Sequence, residues 1–290
     1  MNYSPLRYPG GKAKFSPYIK AIIDQCPEKI ETYIEPFVGG GGVALELLLS
    51  KKVKTIVIND YDKAIYSFWR AVVEDTPKLL RLISNTEVNI EEWYRQKEIY
   101  KTYSNKYSVQ LAFATFFLNR TNRSGILNAG PIGGYKQQGE YLVNARYNKN
   151  KLIKRIETIA KQKKHIQVYN KEIRKFIVQI LPRYEEGAFA YFDPPYIQKG
   201  NRLYKNCLSL EDHKVIAEYI KSKVSCEWVI TYDNTEDIKK IYTDKYYKIY
   251  EWTYSVVKSD RKKEIIIFKN KNICPKDKTL LKSDIKINFL

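Results

Sequence analysis

The stretch Thr32 to Glu46, TYIEPFVGGGGVALE, constrains the fold of this chain more than any other. A short strand pattern runs into four successive glycines, Gly39 to Gly42, and then into the strong helix former VALELLL. Strand, glycine turn and helix in that order let a ligand lie against backbone N–H groups at a helix N-terminus. The run does not fit a P-loop, because no GK[ST] follows, nor a strict G-x-G-x-x-G; a flexible turn is the alternative. The next strand, Thr55 to Asn59 (TIVIN), has the continuous apolar middle of a parallel strand covered on both faces. It ends at Asp60, with Asp62 close behind. An acid at the end of the second strand, about twenty residues past a glycine turn, is placed to accept hydrogen bonds from ribose hydroxyls. Such a ligand carries a ribose and need not carry a pyrophosphate.

A second stretch, Ala188 to Tyr196 (AFAYFDPPY), reads as a buried strand that stops at a rigid turn. It presents one carboxylate, Asp193, at its carboxyl end, where open α/β sheets place their ligands. Pro194 and Pro195 hold Asp193 and Tyr196 in a fixed mutual geometry. Near the N-terminus, Leu6 to Lys12 (LRYPGGK) is a Pro-Gly-Gly turn ending in a cation, able to approach an anionic ligand and equally readable as a plain turn. A helix follows, with Phe15, Tyr18, Ile19, Ile22 and Ile23 on one face.

Between the two halves of the α/β pattern, residues 63–164 carry helical periodicity and no good buried strand. The segments are AIYSFWRAVV, PKLLRLI, EEWYRQKEIYKTY, VQLAFATFFLN and LIKRIETIAKQ. That length exceeds a single crossover connection and predicts a helical insertion. It is interrupted at 119–148 by a loop or β-hairpin rich in Gly, Asn and Arg. There Arg120, Asn122, Arg123, Asn128, Lys136, Gln137 and Arg146 are candidates for contact with DNA phosphates or base edges, against a solvated surface loop. After the insertion come a strand at Ile166 to Tyr169, a helix at Glu172 to Ile180, the strand leading to Asp193, and a capping box at Ser209 and Asp212 that makes His213 a first-turn helix residue. Another buried strand follows at Trp228 to Thr231. Runs at Tyr246 to Val256 and Glu264 to Phe268 predict a terminal antiparallel hairpin, and the Lys-rich tail 271–290 is peripheral.

Charge supplies the partner class. With 51 Lys+Arg against 32 Asp+Glu, the formal charge is +19, which points to a polyanion, since each neutralised phosphate releases condensed counterions. Two histidines, His165 and His213, leave little material for a His-based triad or a poly-His metal site. The four cysteines are widely spaced without a CxxC, so neither zinc nor a disulfide framework is expected and a reducing cytoplasm is. No apolar run suggests secretion or a membrane span.

Taken together, LRYPGGK, EPFVGGGG, IND, FFLNRTNRSGIL, DPPY and YSVVKSDRKKEIII, in this order, resemble the Dam-type, D12-class adenine-specific DNA methyltransferases, over nearly the whole chain to about residue 268. The resemblance implies an α/β fold, a Rossmann-like seven-stranded methyltransferase sheet binding S-adenosylmethionine (1–62 and 165–270), with an inserted, mostly helical target-recognition domain (63–164). It implies duplex DNA as partner, no metal, and chemistry for which a monomer suffices. By the same resemblance Tyr8 and Lys12 help form the cofactor and target pocket, Phe37, Gly39, Gly40 and Gly41 line the methionine part, and Asp60 holds the ribose. Glu172 and Ile173 fall where the family often has an acidic-aromatic pair near the cofactor adenine. Asn128 stands where GATC-reading relatives have an arginine, so GATC is not implied. Arg261 and Glu264 match family positions without an assigned role.

The chemistry of an adenine amine agrees with this set. Its lone pair is delocalised into the ring; hydrogen bonds to the Asp193 carboxylate and the Pro194 carbonyl draw it out and aim it at the methyl donor. Tyr196 stacks on a base flipped from the duplex. Catalysis is then chiefly positioning, without a histidine base or metal. A Rossmann dehydrogenase leaves DPPY, the charge and the insertion unexplained. A cytosine-amine methyltransferase shares the chemistry but more often carries Ser before PPY. A silent DNA-binding module has no use for both a cofactor loop and Asp193.

Overall fold

The computed structural model describes residues 3–8, 10–102, 106–196, 208–253, 261–276 and 288–289 of the 290-residue chain. Strands β1 (Thr32–Glu35), β2 (Thr55–Asn59), β3 (Ile166–Tyr169), β4 (Ala188–Phe192) and β5 (Glu227–Asp233) pair in parallel. Beyond β5, β7 (Arg261–Phe268) runs antiparallel and lies between β5 and β6 (Tyr246–Thr253). The expected seven strands therefore stand in the order β3-β2-β1-β4-β5-β7-β6. The tail, expected to be peripheral, adds β8 (Asn288–Phe289) as an eighth strand against β6. It pairs backbone groups that an edge strand otherwise leaves open. Residues 254–260 and Cys207 lie outside the described residues.

β4 shows why its sequence lacks a polar face. Phe189 and Tyr191 pack into the core on one side of the sheet, while Ala188, Ala190 and Phe192 pack into the core on the other. β1 and β2 divide likewise, Tyr33, Ile56 and Ile58 to one side, Ile34 and Val57 to the other. A strand covered on both faces reads as a continuous apolar run. The order reverses between β1 and β4, because the chain winds outward through β2 and β3 before returning to β4 on the opposite side of β1. The crevice beyond the carboxyl ends of these two strands is the switch point where such sheets bind ligands. Glu35 ends β1 and Asp193 follows β4, so both border it.

Helix α1 (Ser16–Asp24) precedes β1, and α2 (Gly42–Leu49) starts directly from the glycine run. The insertion holds α3 (Lys63–Glu74), α4 (Thr76–Asn85), α5 (Ile90–Thr102), α6 (Val109–Thr121) and α7 (Lys149–Ala160). Side-chain caps fix several starts: Asp62 accepts from Ala64 N, Ser108 from Leu111 N and Asn148 from Lys151 N. α6 is buried along nearly its whole length and forms the axis of the bundle, as an apolar-all-round helix must. Its Phe113, Phe116 and Phe117 share one core cluster with sheet residues Tyr33, Ile56 and Phe189. The final helices are α8 (Ile173–Gln179), α9 (Leu210–Lys223), with the expected Ser209–Asp212 capping box, and α10 (Glu236–Ile241).

The interruption at 119–148 is a loop of consecutive turns and not a hairpin. One isolated bridge, Asn122 to Pro131, is its whole β content. Ser124 and Gln137 have positive φ, as do Gly125, Gly133 and Gly134, so the chain keeps reversing before a ladder can extend. Among the described residues no helix is long and apolar enough to cross a membrane, and no group of three His, Cys, Asp or Glu side chains is placed to hold a metal ion.

Candidate active site

A cavity of about 500 Å³ occupies the switch point. It collects Tyr8, Lys12, Phe37, Gly39, Gly40, Gly41, Asp60, Glu172, Ile173, Asp193 and Pro195 from five separate stretches of sequence, together with Asn128 from the insertion loop. Its glycine wall is not a flexible turn. Val38 N donates to Asn59 O at 2.9 Å and Gly41 N to Val38 O at 2.7 Å, and Trp69 Nε1 donates to Gly39 O at 2.9 Å. Gly39 and Gly41 take φ of +44° and +60°, and a Cβ on Gly39 would lie 2.5 Å from the Tyr8 ring, one on Gly41 2.9 Å from Trp69. Close packing and left-handed backbone together require glycine at both positions.

Asp60 is tied to this wall. Its Oδ2 accepts from Gly39 N at 3.0 Å and its Oδ1 from Asp62 N at 2.9 Å. Burial, reinforced by the Asp62 charge, pushes its carboxyl up to about 7, against the pull of those two amides. Glu172 faces the same cavity and caps α8, accepting from Arg174 N and Lys175 N and pairing with Arg174 Nε at 3.0 Å.

Asp193 sits over a buried polar cluster. Thr231 Oγ1 donates to its Oδ1 at 2.6 Å, the Tyr196 hydroxyl to the same oxygen at 3.3 Å, and Lys12 Nζ stands 3.8 Å from it. Lys12 also donates to the Tyr196 hydroxyl and pairs with Glu264, which accepts from the Tyr250 hydroxyl at 2.7 Å. Burial raises the Asp193 carboxyl above its ordinary value, opposed chiefly by the Lys12 charge and the Thr231 hydrogen bond. For Lys12, burial acts to lower the ammonium, but Asp193 and Glu264 outweigh it and hold the group above its ordinary value. The LRYPGGK turn is thus no plain turn: its lysine is interior, beneath the DPPY segment.

Four residues of this cluster escaped the sequence reading of the site. Glu35 is buried, accepts from Ala44 N at 3.1 Å, and is pushed up to about 8 by desolvation and then by the nearby Asp193 charge. In the sequence Glu264 carries no assigned role, Thr231 reads as an ordinary strand residue, and Asp233, whose charge helps hold the Lys12 ammonium, lies just beyond the strand pattern Trp228 to Thr231. For Glu35 and Glu264 a signal existed, an acid inside an apolar strand run (TYIE, EIIIF), since such a charge needs a buried partner. For Thr231 there was none.

The insertion candidates divide. Asn128 is exposed and lines the cavity, Arg123 and Lys136 are exposed, and Arg146 lies exposed beside the Tyr141 ring. Arg120 is half-buried and donates through Nε to Arg146 O at 2.8 Å. Asn122 and Gln137 do not serve as expected. Asn122 is fully buried; it accepts from Trp93 Nε1 at 2.6 Å and donates to Ile126 O and Leu127 O. Gln137 donates to Ile132 O and Gly134 O and accepts from Val143 N, which closes the loop on itself. Both amides brace the loop from within, so both of their N–H donors are spent inside it.

A seven-strand order with one antiparallel insertion, a glycine-walled cavity at the switch point and a carboxylate at the end of β4 define a Rossmann-like methyltransferase fold. Residues 8–257 match the D12 class N6 adenine-specific DNA methyltransferase family, and the chain belongs to it. Among curated proteins it is similar to Type II methyltransferase M1.LlaDCHI of Lactococcus lactis subsp. cremoris, at 25% identity over 199 residues, 66% of this chain and 64% of that protein. Type II methyltransferase M.MjaIII of Methanocaldococcus jannaschii is 26% identical over 210 residues, 66% of this chain and 68% of that one. Type II methyltransferase M.FokI of Planomicrobium okeanokoites is 26% identical over 239 residues, 76% of this chain but 34% of that protein. The chain therefore matches just under two thirds of the first relative and about a third of the last.

Proposed function

We propose that this protein transfers a methyl group from S-adenosylmethionine to the N6 amine of an adenine flipped out of duplex DNA, with residues 63–164 as the target-recognition part. The observation that carries the reading is Asp193, held at the end of β4 inside a cavity walled by the Gly39–Gly42 turn. The cavity residues suit the cofactor: a glycine wall that leaves no room for side chains, an aromatic in Phe37, and Asp60 at the end of β2 for ribose hydroxyls. When bound, the sulfonium supplies an electrophilic methyl and a good leaving group.

The chain's own residues do the rest by positioning. Asp193 and the Pro194 carbonyl accept from the two N–H groups of the amine, turning its lone pair out of conjugation. The ionised Asp193 carboxylate is the stronger acceptor, so activity is full above its raised carboxyl value and falls as pH drops through it. Tyr196 provides the stacking ring, and through its hydroxyl it also steadies Asp193. Arg120, Arg123, Asn128, Lys136 and Arg146 serve DNA contact in a protein of formal charge +19.

The test is methyl transfer from labelled cofactor to duplex DNA, with nucleosides analysed after digestion. N6-methyladenine is expected, and Asp193→Ala abolishes it while leaving cofactor affinity within a few-fold. No transfer by the wild type, N4-methylcytosine as product, or an active Asp193→Ala would each overturn the reading.

A further inference from the structure

We infer that Thr231, backed by the Tyr191 hydroxyl, is a positioning residue for Asp193: it fixes the carboxylate by one oxygen so that the other is reserved for the target amine. The inference rests on the reading of Asp193 as the amine acceptor. Among the described residues, every hydrogen bond to Asp193 ends on Oδ1, from Thr231 at 2.6 Å and from Tyr196 at 3.3 Å, and the Lys12 ammonium is nearest that same atom at 3.8 Å. Oδ2 takes none of them.

The direction of the chain of hydroxyls follows from valence. An ionised carboxylate only accepts, so Thr231 spends its single proton on Asp193. Tyr191, 2.8 Å from Thr231 Oγ1, must then be the donor to Thr231. A hydroxyl that receives one hydrogen bond is polarised toward giving the next. Both residues are wholly buried, Thr231 on β5 and Tyr191 on the neighbouring β4, so their geometry is set by the sheet and not by solvent. A carboxylate on a rigid strand end, still free to rotate about its last bond, would present its two oxygens interchangeably; Thr231 removes that freedom.

The same bond helps keep Asp193 ionised in a buried place. The other groups that bear on this carboxylate are Lys12 from the N-terminal segment, Glu264 on β7, Tyr196 beyond β4, and, more weakly, Glu35 and Tyr33 on β1, Tyr232 on β5 and Tyr250 on β6. Thr231→Val preserves shape and leaves all of these in place.

Expected for Thr231→Val are a 10- to 100-fold fall in kcat with cofactor and DNA KM nearly unchanged, and an acid limb of the kcat–pH profile displaced to higher pH. Thr231→Ser restores both. Tyr191→Phe combined with Thr231→Val recovers any stability lost by stranding the tyrosine hydroxyl, yet not the rate. The Asp193 carboxyl carbon, followed by NMR titration in the cofactor-free protein, reports the same upward displacement independently of turnover. An unmoved acid limb and an unmoved titration, with kcat lowered or not, would overturn the inference. Absence of methyl transfer by the wild type, with the titration displaced in the variant, would instead overturn the functional reading alone.

Discussion

Gly39→Ala separates two costs that the glycine wall combines. Gly39 has φ of +44°, where a residue with a side chain is strained, and its Cβ would sit 2.5 Å from Tyr8 Cε1 and 2.8 Å from Cδ1 and Cζ. Left-handed backbone costs an L-residue about 1–2 kcal/mol. The clash adds to this, because three ring atoms are involved and the ring must swing as a unit. Tyr8 lines the cavity, so its displacement is felt in ligand affinity as well as in stability. Gly134 supplies the control: its φ is +74°, yet nothing lies within 4 Å of a Cβ built there. Gly134→Ala therefore pays the strain alone, a loss of about 1–2 kcal/mol and roughly 2–8 °C in Tm, with cofactor binding unchanged. Gly39→Ala should lose more than this and weaken S-adenosylmethionine at least about tenfold, equal to about 1.4 kcal/mol. Calorimetric titration and thermal unfolding of both variants decide it. Cofactor affinity within twofold of wild type in Gly39→Ala, or a stability loss no larger than in Gly134→Ala, would refute the packing argument.

Two further variants probe the buried charges. Glu35 holds its proton in the folded protein up to about 8, whereas unfolded it releases it near 4.5, so its contribution to stability is fully present below that lower value and is lost as pH rises across the window. Glu35→Gln should flatten the fall in unfolding free energy between those values, where the wild-type slope from this group approaches about 1.4 kcal/mol per pH unit; superimposable urea curves across the range would contradict it. Lys12→Met strands Glu264 without its ion-pair partner and should cost about 3–5 kcal/mol in urea unfolding, with Lys12→Met/Glu264→Gln recovering a large part. A single-variant loss below about 1 kcal/mol would show that the pair is not closed off from water as its burial indicates.

Local pattern and backbone chemistry determined much of this protein from sequence alone. The continuous apolar runs of β2 and β4, the glycines between β1 and α2, the diproline after Asp193 and the Ser209 capping box each specify structure within a few neighbouring residues, and each formed as its pattern required. Periodicity also located the helices of the insertion. The loop at 119–148 was legible as a loop but not as to which polar side chains face outward. Asn122 and Asn128 are the same residue type six positions apart; one is sealed under Trp93 and the other lines the cavity. Only tertiary structure decided that Lys12 lies beneath Asp193, because the contact joins positions 181 residues apart through packing of the N-terminal segment on the sheet. Thr231 became part of the site for the same reason. Its hydroxyl matters because parallel pairing of β4 with β5 sets it beside the end of β4, and no local signal in ITYD records which strand its neighbour will be.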